Sequence, residues 1–285
     1  MRHFITYTAR DGTAYDLSGA TGADALLSWD PSLSAWDYDV ASSTGALSLK
    51  PAECAAQILV PRGSLDGLVE RLYQDAGAGG GTLSVDGWER VVSARTGSYD
   101  KLPGGDALVS LTLRSQDPLW RRITTRVLMP GSAETSALDG LDYPTDYPFD
   151  YAGASAVSSV GRIEHGATCI VRATFFGPCE DPYVRVTSRG DEDAVTNLYG
   201  VGASAEAGER IVIDPLGRSV IGGSVYKVGA YGERTNLYGS RRRGTEGSGS
   251  YVFERLPPGA IEASWPQGYG VTLDLIEERG SLPWT

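Results

Sequence analysis

The chain has 285 residues, 41% of them hydrophobic and 21% charged, with a net charge of −11. That size suits one large or two medium domains, each able to bury a core. The acidic balance excludes a sequence-independent grip on nucleic acid, which needs a basic face, but it permits an acidic channel that DNA passes through.

There are 37 Gly and 15 Pro, and the apolar runs are short, so the pattern is one of many strands joined by turns. No run approaches the roughly 20 apolar residues that span a bilayer. Residues 1–6 lead straight into alternation without an apolar signal region, which predicts synthesis and folding in the cytosol and no membrane insertion. Cys54, Cys169 and Cys179 are an odd set without CxxC spacing. They form neither a disulfide framework nor a zinc site. Cys169 and Cys179 could pair, but buried free thiols are favoured.

Taken in order, Phe4–Ala9 and Thr13–Leu17 alternate about an Asp11-Gly12 turn, a short-range hairpin signal. Ala25–Trp29, Trp36–Val40 and Ala55–Val60 read as further strands. Ser64 then opens a helix whose Leu65, Leu68, Val69, Leu72 and Tyr73 make one apolar stripe, with Asp66 in its first turn. Gly77 stops it and Gly79–Gly81 is read as a flexible connector. This glycine run leaves a helix instead of opening one and lacks the Gly-Lys-Ser/Thr of a phosphate loop. Thr82–Val85 and Trp88–Thr96 form a second hairpin about Asp86-Gly87. Ala107–Arg114 and Arg121–Met129 complete a first domain, residues 1–130, read as an α+β sandwich with one inserted helix.

Residues 131–160 change character. Glu134, Asp139, Asp142, Asp146 and Asp150 occur there with no Lys or Arg, and Tyr143, Tyr147, Phe149 and Tyr151 are interleaved with Pro144 and Pro148. Proline keeps the preceding residue extended, so this stretch is read as a linker or arm that docks on something. Residues 161–285 return to short strands at roughly ten-residue spacing, the mark of a β-sandwich. They are expected at Cys169–Phe175, Tyr183–Thr187, Arg210–Ile213, Ser219–Val228, Tyr251–Arg255, Ile261–Trp265 and Val271–Ile276. Thr-Asn-Leu-Tyr-Gly occurs at 196–200 and again at 235–239, which paired strands with similar turns would explain.

No catalytic centre stands out. His3 and His165 fall in different predicted domains, and no Gly-x-Ser-x-Gly elbow accompanies them. Asp191–Asp193 lacks the frame of a calcium loop, and Arg189-Gly190-Asp191 is read as a turn. Nothing singles out a pair of acids for glycoside cleavage. Neither a metal nor a cofactor is implied. Arg241-Arg242-Arg243, set among glycines, is an exposed loop; its functional reading is a salt-sensitive contact with an acidic surface such as the acidic linker of a neighbouring chain.

The order of these features carries a resemblance. Early strands precede one helix, Leu65–Tyr73. A strand then ends in Asp117-Pro118-Leu119-Trp120, and the Tyr143–Tyr151 connector follows. Gly208–Asp214 matches a Gly-x-x-φ-x-Ile-Asp strand. Thr235–Tyr238 matches a Thr-Asn-φ motif, Ser250–Gly259 a Ser-x-φ-Phe-x-x-Leu-Pro-x-Gly motif, and Val271–Trp284 a closing strand with a terminal aromatic. Together they resemble the distal tail protein of long, non-contractile-tailed bacteriophages, the siphovirus tail-component family, over nearly the whole chain. One departure is Ala260, where the family often has Asn.

The resemblance implies a mainly β protein, with an N-terminal ring-forming domain and a C-terminal galectin-like sandwich, the final residues returning to the N-terminal domain. It implies a non-enzymatic virion protein at the tail tip. Six copies would form a ring around a DNA channel, joining the tail tube to the tip or baseplate hub and anchoring receptor-binding proteins. Some members bind glycans, and a stand-alone glycan-binding module is the competing reading. Expected ring contacts are the helix with Leu65, Leu68, Leu72 and Tyr73, and the hairpin beside Trp88. Tyr143, Tyr147, Phe149 and Tyr151, with Arg241, Arg242 and Arg243, are the other expected interface residues.

Overall fold

The computed structural model describes residues 4–17, 25–29, 38–40, 47–130, 157–165, 167–190, 194–216 and 223–282. The chain divides into two compact units: Met1–Arg122 with Arg279–Thr285, and Ile123–Glu278. The described residues are mainly β, with one α-helix.

The first unit contains β1 (Ile5–Thr8), β2 (Ala14–Asp16), β3 (Ala25–Trp29), β4 (Tyr38–Val40), β5 (Leu47–Leu49), β6 (Ala52–Val60), α1 (Leu65–Gly77), β7 (Gly81–Val85), β8 (Trp88–Lys101) and β9 (Ala107–Ser115); β10 (Trp120–Leu128) begins in it. Strand β8 organises them. Its first part pairs with β7, from Val85↔Trp88 to Gly81↔Val92, and its second part pairs with β9, from Ser93↔Arg114 to Lys101↔Ala107. One long strand thus serves two sheets, β2-β1-β7-β8 and β8-β9-β6-β3, the way strands turn corners in sandwiches. The sequence places the end of β8 at Thr96. The extension to Lys101 is missed because its last residues are exposed and lose the alternation.

The two Asp-Gly turns differ. Asp86 and Gly87 have φ of 50° and 83°, the paired positive values of a tight two-residue hairpin. At Asp11-Gly12 only the glycine has positive φ, 90°. There Gly12 N donates to Ala9 O and Ala9 N to Thr13 O, a longer loop that ends in a left-handed glycine.

Helix α1 forms because its apolar stripe has a sheet to cover: Leu68 and Leu72 are buried, and the helix lies against β7 and β8. Ser64 sits at its N-terminus without a side-chain cap bond. The helix also buries a carboxylate. Asp75 accepts a hydrogen bond from Tyr7 Oη at 2.7 Å and another from Arg10 N at 3.1 Å, the partners a buried polar group requires. Burial, then the Asp75 contact, pushes the Tyr7 phenol well above its usual range. The glycines after α1 are not a flexible connector. A Cβ at Gly80 would collide with Val92 O and one at Gly81 with Tyr7 Oη, so close backbone approach fixes both positions.

Among the described residues, Trp88 and Trp120 are the largest buried side chains of this unit. The Trp88 ring has the Arg122 guanidinium 4.8 Å from its centroid and that of Arg279 at 5.1 Å, and Arg90 lies 5.2 Å from the ring of Trp120.

The second unit contains the rest of β10, then β11 (Val157–Ile163), β12 (Thr168–Phe176), β13 (Cys179–Glu180), β14 (Tyr183–Arg189), β15 (Ala194–Gly200), β16 (Ser204–Ala205), β17 (Arg210–Asp214), β18 (Ser224–Val228), β19 (Arg234–Asn236), β20 (Arg255–Leu256), β21 (Gly259–Ser264) and most of β22 (Val271–Arg279). Two antiparallel layers result: β19-β18-β17-β12-β22-β10, part of one large sheet, and the separate four-stranded sheet β11-β21-β14-β15; β13 and β16 pair as a short ribbon. The two layers sandwich a core: Val171, Ala173, Phe175, Ile211, Ile213, Leu273 and Leu275 come from the first, and Val160, Val184, Val186, Tyr199, Ile261 and Ala263 from the second. Gly161 would place a Cβ 3.7 Å from Leu275 Cδ1, direct contact across the layers. On the outer face Arg172 reaches Asp214 at 3.1 Å and Asp274 at 3.4 Å, tying three adjacent strands.

Several expectations change here. Tyr251–Arg255 is not a strand: Glu254 N donates to Tyr251 O, closing a turn, and only Arg255–Leu256 pairs, with β12. The Val252–Glu254 alternation is met by a turn that buries Val252 and Glu254 while Tyr251 and Phe253 stay half-exposed. Strand β11 starts at Val157, inside the stretch read as connector, and its register shifts near Gly161, which masks the period. Strand β15 is missed because its first three residues are exposed and Asn197 is buried.

Tyr7→Phe leaves a buried Asp75 oxygen without its donor. The expected loss is about 1–3 kcal/mol of stability, read as a lower urea midpoint with an unchanged slope; an unchanged midpoint would contradict this role.

Candidate interaction surface

The loop after β19 is built by backbone bonds to the end of β15. Tyr238–Ser240 forms one turn of 3₁₀-helix. Gly202 N donates to Ser240 O at 2.7 Å, Arg242 N donates to Gly200 O at 3.0 Å, and Arg241 bridges Val201. The segments that follow the two Thr-Asn-Leu-Tyr-Gly copies are thus paired, while the copies themselves have opposite settings. Thr196–Gly200 is strand, with Asn197, Tyr199 and Gly200 buried; Thr235–Gly239 leaves β19 and enters the exposed turn.

Aromatic rings floor this loop. Tyr238 stacks on Phe253 with centroids 6.3 Å apart, and Tyr251 meets Phe253 edge-on at 5.9 Å. The Arg241 guanidinium lies 3.8 Å from the Tyr238 centroid and donates to Tyr238 O at 2.7 Å. Arg242 extends over Tyr183 at 5.5 Å, past Gly200, where a Cβ would come within 2.8 Å of its Nε. Tyr183 is fixed in turn, because its backbone N donates to Tyr269 Oη and its carbonyl accepts from the same hydroxyl. The far side of the loop is pinned by the buried Glu254, whose carboxylate accepts from Gly247 N at 2.7 Å. Arg242 and Arg243 remain exposed.

A second surface is apolar. Val127, Met129, Pro130, Phe176, Pro178 and Tyr269 line a groove of about 500 Å³, and Val127 and Met129 are more than half exposed.

The other expected contact residues are distributed less evenly. Leu68, Leu72 and Trp88 are buried in the first unit's core, Leu65 is half-buried, and Tyr73 is 75% exposed. Tyr143, Tyr147, Phe149 and Tyr151 lie outside the described residues, as do His3 and Asp191–Asp193. His165 is exposed, and among the described residues no group of three His, Cys, Asp or Glu could hold a metal. Sequence reasoning missed Tyr183, Tyr238, Tyr251, Phe253 and Glu254 as supports of the arginine loop. The repeated pentapeptide was the available signal.

The structure resembles solved phage proteins. A chain of the phage P2 baseplate in its activated conformation with Ca matches over 99% of this chain and 100% of its own, with TM-score 0.51 and 12% identity. The same baseplate with Sr gives 98% and 99% coverage, TM-score 0.50 and 11% identity. This chain has the fold of a phage baseplate component. The SPP1 Dit (gp 19.1) protein aligns over 96% of this chain and 98% of its own, with TM-score 0.47 and 11% identity. No family model and no curated protein matches the sequence.

Cys169 and Cys179 are both free thiols. Burial, then the nearby Glu277, pushes Cys169 from the ordinary 9.0 up to about 12. A folded-state value above the unfolded one stabilises fully below pH 9.0 and fades as pH climbs toward 12. Alkylation of the folded protein at about pH 8 is expected to label the half-buried Cys179 well before Cys169, scored by peptide mapping; equal rates would contradict the burial.

Proposed function

We propose that this chain is a structural protein of a phage tail tip. Six copies form a ring that joins the tail tube to the tip or baseplate hub and anchors host-recognition proteins, and DNA passes through the ring. The observation that carries this is the fold likeness to a phage baseplate chain over 99% of the sequence. The motif order from Leu65 to Trp284 points the same way, and the six-fold count comes from that resemblance alone.

In this reading the first unit, Met1–Arg122 with Arg279–Thr285, forms the ring, 131–156 an arm, and Val157–Glu278 an outward-facing galectin-like sandwich. The net charge of −11 suits a channel wall that repels phosphates and so does not retain DNA. A non-enzymatic role fits the structural tasks of three buried or half-buried polar groups: Asp75 holds Tyr7, Glu254 holds a loop, and Arg172 ties strands. On α1 the ring contact falls to Tyr73 and Leu65, because Leu68 and Leu72 are committed to the core. The Asp86-Gly87 hairpin lies nearby in sequence as a second contact.

Light scattering and negative-stain imaging of the purified protein at micromolar concentration test the ring. Six-membered rings are expected; monomers under all conditions, including with tube and hub proteins added, would overturn it, and glycan-array hits from such monomers would favour a lectin. Tyr73→Asp is expected to disperse the rings while moving folding stability by less than about 0.5 kcal/mol, because the side chain is exposed.

A further inference from the structure

The arginine loop carries charge that no described carboxylate of its own unit neutralises. Elsewhere in that unit, Arg172, Arg189, Lys227 and Arg255 each reach a carboxylate. Among the described residues no ion pair involves Arg241, Arg242 or Arg243, on a chain whose net charge is −11. The loop is also held in advance of any partner. Two backbone hydrogen bonds, which pair Arg241 with Val201, fasten it to the segment at the end of β15; Tyr238 and Tyr183 support two of its guanidiniums, and Glu254 holds its far side. A surface ordered beforehand spares the entropy a flexible loop would lose on binding.

The chemistry of the occupant follows. Guanidiniums take carboxylates in planar, two-pronged contacts, and rings beside them take further aromatics. A long polyanion is a poorer fit, since beyond three arginines it would meet a protein whose net charge is −11. A short segment with a few carboxylates and interleaved aromatics fits better. The sequence contains one: Asp142, Asp146 and Asp150 recur at every fourth position, with Tyr143, Tyr147, Phe149 and Tyr151 among them and no Lys or Arg between 131 and 160.

We infer that the Arg241–Arg243 loop is a docking surface for the acidic stretch 139–151 of a second copy of this chain. The inference rests on the ring proposed above, since copies held side by side present that stretch at high effective concentration. The loop then serves as a lock between neighbouring subunits, tuned by salt because its contacts are ionic and partly exposed.

The test uses full-length protein carrying Arg243→Cys and Asp146→Cys, prepared in light and heavy isotopic forms, mixed, assembled and mildly oxidised. Peptides joining positions 243 and 146 with mixed isotopes are expected. Adding Arg241→Glu and Arg242→Glu should lower their yield roughly tenfold, the scale of a few partly exposed ion pairs. Adding Asp142→Lys and Asp150→Lys to that variant should restore it. Joined peptides of one isotope only would mean the stretch docks on its own chain, and would overturn the inference. No joined peptide while imaging still shows rings would overturn it and leave the ring standing. No joined peptide and only monomers would remove both. Retention on a sulfated polysaccharide column that is lost on charge reversal, without mixed-isotope peptides, would reassign the loop to a polyanion.

Discussion

One indole fixes how the chain is threaded. Trp88 is 2% exposed, and guanidiniums approach its ring from Arg122 and Arg279. Arg122 is the residue at which the chain leaves the first unit, and Arg279 the one at which it returns. Each contact contributes on the order of 0.5–2 kcal/mol when partly desolvated. Together they fasten the outgoing and the returning strand to one side chain of β8. That strand already serves two sheets, so the corner of the first sandwich and both crossings of the chain share a single anchor.

Much of this was legible in the sequence wherever burial follows a period. Strand β9 alternates Ala107, Val109, Leu111 and Leu113 inward against Leu108, Ser110 and Thr112, and α1 presents Leu68 and Leu72 from its stripe. Reading failed where the period breaks for a physical reason. The register shift near Gly161 hides β11, buried Asn197 disguises β15, and the turn at Tyr251–Glu254 imitates a strand because it buries alternate residues. Local pattern reports which side chains are inside, not whether the backbone between them is extended.

The arginine loop shows the same limit. Three arginines among glycines read as an exposed cationic loop, and Arg242 and Arg243 are exposed. The aromatic supports were out of reach, because they come from separate parts of the chain: Tyr238 meets Phe253 only when the 3₁₀ turn and the 251–254 turn converge, and Tyr183, from β14, reaches the loop only through Arg242. The repeated pentapeptide is a case of one word with two uses. Its Tyr is a buried hydroxyl donor to Glu254 O at position 199 and a stacking platform for Arg241 at position 238. Sequence identity over five residues did not determine environment; the neighbours supplied by the fold did.

The discontinuity of the first unit bears on the order of events during synthesis. Residues Arg279–Thr285 emerge from the ribosome only after the whole of Ile123–Glu278. Until then Trp88 has the Arg122 face of its clasp but lacks the Arg279 face. The second unit can therefore complete its own sandwich while the first is still waiting for a piece of itself. A nascent chain in that interval is half-locked, and the arrival of Arg279 reports that everything between the two crossings has already been made.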